Sequence, residues 1–204
     1  MVELSRNTTV SRSAYLALKE EQQLVTTGYE FLDEKRILLA AEMLRQRELY
    51  RELRAGFTTA CDRAAEALVS AAAETGLDGL QVHPVSVLED AQIATERRPV
   101  IGQWLLDSRL ELRADTDTPV GTSSTVGTCA ALFRDILERG VRLAAVSANL
   151  ERLMHEYRRT ERRVRALENV VLPDIRQDIT AMQEYLDLNE QEEIIRVRSA
   201  RPLF

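Results

Sequence analysis

Residues 18–60 read LKEEQQLVTTGYEFLDEKRILLAAEMLRQRELYRELRAGFTTA, and the apolar side chains in this stretch recur every seven residues. One series is Leu18, Val25, Leu32, Leu39, Gln46, Leu53, Ala60; its companion is Gln22, Tyr29, Arg36, Met43, Tyr50, Phe57, Ala64. Two interleaved seven-residue series are the seam of a coiled coil, here with polar interruptions at Gln22, Arg36 and Gln46. Gly28 and Gly56 sit inside it, each costing about 1 kcal/mol against Ala, which a long packed helix carries. Ser11 and Ser13 offer caps before the pattern, and Gly76 with Gly79 offers a stop. The expectation is a tail over 1–12 and a first helix over 13–75.

A second pattern of the same kind occupies the C-terminal part. Cys129, Ile136, Leu143, Leu150, Tyr157, Val164, Val171 form one series, and Leu132, Arg139, Val146, Leu153, Thr160, Leu167 the other. Pro173 interrupts, and the apolar stripe resumes one step out of phase as Ile175, Ile179, Met182, Leu186. A mid-helix proline removes one hydrogen bond and bends the helix. The continuing pattern predicts a bend near Leu172–Asp174 within a helix over 123–195, followed by a tail over 196–204.

At about 1.5 Å per residue the two helices would be roughly 95 and 110 Å long if continuous. A compact chain of this length has a radius of gyration near about 17 Å, so neither helix fits inside a globule. The predicted class is therefore all-α dominated: a long antiparallel two-helix coiled-coil hairpin with a small β-containing head in the middle of the chain. Punctuation agrees, because five of the eight Gly and three of the five Pro fall between Gly76 and Gly127. The head, over 76–122, reads as a hairpin or small sheet. Leu80-Gln81-Val82 and Val85-Ser86-Val87 flank His83-Pro84, and Arg109-Leu110-Glu111-Leu112-Arg113 alternates as a strand does.

Composition narrows the function. The chain has 204 residues, 45% hydrophobic, with 33 acidic and 27 basic residues for a net charge of −6. That balance argues against a nucleic-acid partner. No apolar run reaches about 18 residues, so no direct membrane insertion is expected, and the N-terminus lacks the features of a secretory signal. Cys61 and Cys129 read as two core thiols rather than a disulfide, consistent with a cytosolic setting.

Chemistry-bearing constellations are sparse. Neither Lys19 nor Lys35 follows a glycine, so no Walker-type phosphate loop exists. Gly121 to Thr128 is rich in Gly and hydroxyls before a helix and reads first as a loop plus helix cap, with an anion site as the alternative. His83 and His155 lack ligand-spaced neighbours, so no metal is expected, and no nucleophile–base pair can be assembled. Neither a catalytic set nor a cofactor is expected. Trp104, with Ile101, Leu105 and Leu106, reads as core of the head, with a partner-facing anchor as the alternative, since a small head has limited core to offer. The cluster Arg158, Arg159, Arg162, Arg163, Arg165 reads first as ion-paired with Glu156, Glu161 and Glu168. Second is a positive collar facing an acidic protein surface; nucleic-acid binding is the third reading.

The two ends together resemble the D subunits of the rotary V-type and archaeal-type ATPases. Arg12-Ser13-Ala14-Tyr15-Leu16-Ala17-Leu18-Lys19 matches that family's Arg-x-x-x-Leu-x-Leu-Lys opening. Gly28 falls nine residues after the lysine, as the pattern has it, and Phe31-Leu32-Asp33-Glu34-Lys35-Arg36 fits its Leu-Leu-x-x-Lys-Arg. Near the other end, Thr160-Glu161-Arg162-Arg163-Val164-Arg165-Ala166-Leu167-Glu168-Asn169-Val170-Val171-Leu172-Pro173 is similar to Thr-x-Arg-Arg-Val-Asn-Ala-Leu-Glu-x-Val-x-Ile-Pro. Leu186-Asp187-Leu188-Asn189-Glu190-Gln191-Glu192 follows the family's Leu-Asp-Glu-x-Glu-Arg-Glu run. Arg165 stands where Asn is usual, and Val10-Ser11-Arg12 replaces Pro-Thr-Arg. The likeness covers about residues 10–45 and 150–198.

What the resemblance implies is the central-stalk rotor shaft of a V-type ATPase or ATP synthase, a non-catalytic component. Its terminal end would enter the ring formed by the catalytic A and regulatory B subunits. Its head end would meet the F subunit of the stalk and the stalk component that couples to the membrane ion-translocating ring. The complex would link ATP synthesis or hydrolysis to proton or sodium transport, placing the chain in the cytoplasm, peripheral to the plasma membrane. Ring contacts are expected from the terminal segments, Arg12 to Lys19 and Leu186 to Arg198. Lys35, Arg36, Arg162 and Arg163 are expected to make charged stalk contacts, with the F subunit among the partners. A generic coiled-coil adaptor or scaffold is the alternative; it accounts for the heptads but not for the motifs at both ends.

Overall fold

The computed structural model describes residues 11–82, 91–111 and 124–200. In chain order these form α1 (Arg12–Val82), β1 (Gln92–Val100), β2 (Gln103–Glu111), α2 (Ser124–Ala166), a five-residue π-turn (Leu167–Val171) and α3 (Leu172–Ser199). Two long helical segments with a small antiparallel hairpin between them in sequence are the observed class. His83, Val85–Val87, Leu112-Arg113 and the turn-rich Asp115–Gly121 lie outside the described residues, as do the outer parts of both tails.

Ser11 starts α1 by satisfying one of the donors that every helix N-terminus leaves free. Its hydroxyl oxygen accepts from the Ala14 N–H at 3.1 Å, and its carbonyl accepts from the Tyr15 N–H at 3.0 Å. Far along the helix, Gly76 leaves helical geometry at φ 72 and ψ 162. That region is open essentially to glycine alone, so the punctuation at Gly76 is a kink in the backbone. Beyond it the chain turns helical again, and Leu80-Gln81-Val82 ends a helix instead of forming the strand read from sequence. Three residues are too few for periodicity to separate the two states.

The chain divides into two compact units, one of residues up to Ile37 together with those from Tyr157, the other Leu38–Glu156. In the first, Leu18, Ile175, Ile179 and Met182 make a buried cluster, with Ala14, Tyr15, Val25 and Val171 packed on it. The Tyr15 hydroxyl donates to Gln183 Oε1 at 3.2 Å, and Arg12 pairs with Glu190. Low numbers meet high ones, so α1 and α3 run antiparallel here.

This packing requires a phase correction. Continued past Val171, the two seven-residue series would bring residues 174 and 178 to the seam; Asp178 is buried there, but the buried apolar positions are Ile175, Ile179 and Met182. The π-turn supplies the correction: the Leu172 N–H donates to the Leu167 carbonyl, five residues back. One extra residue in a turn rotates everything downstream by about 100°. Pro173 follows at the first turn of α3, where its missing N–H and ring are best tolerated. The phase slip read from sequence is thus a π-turn at Leu167–Val171, just before the predicted position of the bend.

In the second unit Leu39 and Leu153 are fully buried, joined by Ala60, Ala64, Ala71, Ala145, Val146 and Cys129. These small side chains bring the helices close. A Cβ on Gly140 would lie 3.4 Å from the Phe57 ring, and one on Gly56 would lie 3.2 Å from the Arg139 guanidinium. Glu74 accepts from the Thr125 hydroxyl near the start of α2. These pairs again run antiparallel. Both cysteines are free thiols, Cys129 buried and Cys61 half-buried.

β1 and β2 pair from Gln92↔Glu111 to Val100↔Gln103. The two-residue loop has φ 51 at Ile101 and φ 76 at Gly102. Positive φ at both positions is the turn whose twist suits a hairpin, although a β-branched residue there is strained. In such a hairpin Val100 and Gln103 form a hydrogen-bonded pair, and bonded and non-bonded pairs alternate outward. Pro99 therefore sits in a non-bonded pair, where its lack of an N–H costs no ladder bond. Trp104 is not core: it is 58% exposed, while Leu105 and Ser108 are the buried residues of this strand. Alternation sends neighbouring side chains to opposite faces, so Trp104 is turned away from the side on which Leu105 is buried.

Candidate functional site

Two side chains tie the hairpin to α2: Arg152 Nη1 donates to the Trp104 carbonyl at 3.5 Å, and Asn149 holds Leu106. By the alternation above, Leu106 opposes Arg97 in a non-bonded pair, so its N–H and carbonyl point away from β1. Asn149 meets both: its Oδ1 accepts from the Leu106 N–H at 2.8 Å, and its Nδ2 donates to the Leu106 carbonyl at 2.7 Å. The amide acts as a one-residue third strand. Asn149 is buried, which makes these two bonds structurally expensive to lose. Across the strands, the Thr95 and Ser108 hydroxyls lie 3.2 Å apart.

A second tie runs from the hairpin to α1 through Glu42. Its carboxylate accepts two bonds from Arg45, at 2.9 and 2.6 Å, and one from Gln46 Nε2 at 2.9 Å. Arg98 of β1 reaches the same carboxylate at 3.8 Å. The Arg45 hydrogen bonds hold the Glu42 pKa below its ordinary value against burial, which pushes the other way; Gln46 and the charges of Arg45 and Arg98 add to the lowering. Asn149, Glu42 and Arg98 were not singled out from sequence. Gln46 was visible only as a polar interruption of the seam.

The positions singled out from sequence fall elsewhere. Arg12 pairs with Glu190 at an exposed site, and that hydrogen bond raises its pKa. Lys19 lies over the Tyr15 ring, 4.7 Å from the centroid. Lys35 is half-buried, and Arg36 Nη2 is 2.6 Å from Asp33 Oδ1. Leu186 is half-buried and Arg198 exposed. Along the seam, Leu18, Leu39 and Val164 are buried, while Val25, Leu32, Leu143, Leu150 and Val171 are half-buried. Pro173 is exposed.

The arginine cluster departs from its first reading. Only Arg165 has an ion pair among the described residues, with Glu161 at 2.7 Å. Arg158, Arg159, Arg162 and Arg163 project into solvent without one. Glu156 is buried and Glu168 sits in the π-turn, so neither is placed as the spacing implied.

Among the described residues there is no group of three or more His, Cys, Asp or Glu able to hold a metal ion. No described helix is long and apolar enough to cross a membrane. The class defined by these features is a protein of long helices, antiparallel within each unit, with a β-hairpin tied to the helices of the second unit by side chains. Residues 14–201 match the profile of the family of ATP synthase D subunits. The V-type ATP synthase D subunit of Thermotoga neapolitana is 26% identical over 191 residues, 92% of this chain and 94% of that one. The A-type ATP synthase D subunit of Pyrococcus abyssi is 29% identical over 198 residues, 95% of this chain and 92% of that one. That of Thermococcus gammatolerans is 29% identical over 202 residues, 97% and 94% of the two chains. The chain belongs to the family of ATP synthase D subunits.

Proposed function

We propose that this chain is the central-stalk rotor of a V/A-type ATP synthase, a non-catalytic component that carries torque between the A/B ring and the membrane ion-translocating ring. The observation that carries the reading is the family match over residues 14–201, which takes in both long helical segments and the hairpin between them. A pair of helices has no threefold symmetry. At any angle it offers different side chains to each catalytic interface, so each is held in a different nucleotide state and turning permutes those states.

In this reading the terminal segments, Arg12 to Lys19 and Leu186 to Arg198, contact the ring. Lys35, Arg36, Arg162 and Arg163 make charged stalk contacts, including those to the F subunit. The unpaired guanidiniums of Arg162 and Arg163 support the collar facing an acidic protein surface over the ion-paired alternative. The head end faces the stalk component that couples to the membrane ring, and the assembly sits peripheral to the membrane, moving protons or sodium ions.

Co-expression with the A and B subunits tests the assignment. One copy of this chain per A/B hexamer, measured by native mass spectrometry, is the expected outcome. A chain that fails to join the hexamer and instead forms a soluble homo-oligomer would return the reading to a generic coiled-coil adaptor.

A further inference from the structure

Trp104 is the only tryptophan of the chain, and it stands exposed beside the buried Leu105. The strand ladder shows what shares its face. Pro99 opposes Trp104, Arg97 opposes Leu106 and Ile93 opposes Leu110, and alternation puts all six side chains on one face of the hairpin. The Thr95 and Ser108 hydroxyls, 3.2 Å apart, meet on that same face. Ile93 is 60% exposed, Arg97 and Pro99 are exposed, and Leu106 and Leu110 are half-buried. At about 3.3 Å per residue, the strip from Trp104 to Leu110 is about 20 Å long.

Charge is divided between the two faces as hydropathy is. Glu96, Asp107 and Glu111 are all the carboxylates of the two strands, and they fall on the opposite face with Arg98 and Arg109. The Trp104 face carries a single charge, Arg97, which has no ion pair among the described residues. Arg97 lies diagonally across from Trp104, a separation that a long side chain spans. A second guanidinium comes from α2, where the exposed Arg152 donates to the Trp104 carbonyl at 3.5 Å. The backbone under the indole is therefore held, by Arg152 at Trp104 and by Asn149 at Leu106. Binding through this face needs little ordering beyond the indole itself.

These features decide what the face can receive. A second copy is a poor fit, because an isologous contact would set Arg97 against a face without a carboxylate. An anionic bilayer is drawn by clusters of about four to eight basic residues, and two guanidiniums fall short of that. Tryptophan beside arginine among exposed apolar side chains is the composition of a protein docking hot spot. We propose that this face of the β-hairpin docks a partner protein offering an apolar pocket for Trp104, edged by carboxylates that meet Arg97 and Arg152. For the identity of that partner the proposal rests on the rotor reading: it is the stalk component that couples to the membrane ring.

The test uses the full chain labelled with fluorotryptophan, in which Trp104 gives a single fluorine NMR resonance, mixed with the purified coupling component. The resonance should shift on binding and lose its response to exchange of water for deuterium oxide, as an indole removed from solvent does. By isothermal titration, Trp104→Ala should weaken the complex at least about thirtyfold and Arg97→Glu about tenfold, each with an unchanged helical circular-dichroism spectrum. Arg109→Glu makes the same charge change on the opposite face and should stay within about twofold. Equal weakening by Arg97→Glu and Arg109→Glu would reduce the effect to net charge and overturn the docking face. A resonance that responds to vesicles of phosphatidylcholine and phosphatidylglycerol in equal parts, but not to the coupling component, would overturn it in favour of a membrane. One that shifts with the concentration of the chain alone would overturn it in favour of a second copy. A chain that joins the A/B hexamer yet leaves Trp104 open to solvent beside the coupling component overturns this docking face and keeps the rotor reading. A chain that joins neither overturns both.

Discussion

Asn149 and Glu42 are the two residues on which the position of the hairpin depends, and they fail in different ways. Asn149→Ala leaves the Leu106 N–H and carbonyl without partners on a half-buried strand. The expected loss is about 1–3 kcal/mol of stability. It should appear as a lower denaturation midpoint and as faster amide exchange confined to β2 and its neighbours. Asn149→Asp keeps the acceptor but sets a buried carboxylate against the Leu106 carbonyl, and should be at least as destabilising as Ala at neutral pH. Glu42 adds a pH dependence whose sign follows from its lowered pKa, with the Arg45 hydrogen bonds as main cause. An unfolded glutamate titrates near about 4.3. Because the folded value lies lower, the stabilisation is complete above the unfolded value and is lost as pH falls through the folded one. Glu42→Gln should therefore be less stable than wild type at neutral pH, by about 1 kcal/mol given how exposed Arg45 is. The two melting curves should converge as the medium is made acid, and a gap that widens toward acid would contradict the assignment.

The π-turn ahead of α3 is the element that makes the two ends of the sequence compatible. Deleting Asn169 restores α geometry and turns Ile175, Ile179 and Met182 away from Leu18 by about 100°. Three side chains then leave the cluster, and a fall of about 3 kcal/mol or more is expected in thermal unfolding. Pro173→Ala alone should change little, because the packing around Ile175 holds the phase whether or not the proline is present. If the deletion variant melts like wild type, the phase argument is wrong. This element also marks how far sequence reading reaches. Helical periodicity is local, so the seams and the slip after Pro173 were legible, but the slip does not distinguish a bend from an inserted residue. β1 was illegible for a physical reason: Glu96, Arg97, Arg98 and Pro99 occupy a mostly exposed strand, so no apolar alternation marks it. Its turn, Ile101-Gly102, lacks the Asn-Gly signal such loops usually carry. Asn149 was invisible because its partner Leu106 is 43 residues away and no local pattern encodes the pair.

At the scale of the whole molecule, packing among the described residues leaves apolar surface near the C-terminal end of α3 exposed. Leu188, Ile194, Ile195 and Val197 are exposed there, each more than half open to solvent. Scattered exposed apolar residues are ordinary, but four so close together at one helix end are a patch that burial among the described residues does not use. The arginines of the collar pose the same question in charge: Arg162 and Arg163 have no ion pair among the described residues. The rotor reading gives each a separate role. Apolar residues that are buried on assembly hold a complex together by slowing dissociation, whereas exposed charges at a rim mainly set approach and orientation. Ile194→Ser/Ile195→Ser/Val197→Ser should leave the stability of the isolated chain within about 0.5 kcal/mol, since these side chains are already open to solvent. The same variant should reduce the fraction of A/B hexamers carrying the chain in native mass spectra. Arg162→Ala/Arg163→Ala should instead still assemble, with a slower and less salt-sensitive association, and with ATP hydrolysis less tightly coupled to ion transport. Equal assembly and equal coupling in both variants would mean that neither surface meets the ring or the stalk. The torque contacts would then have to be sought on the remaining faces of α1 and α2.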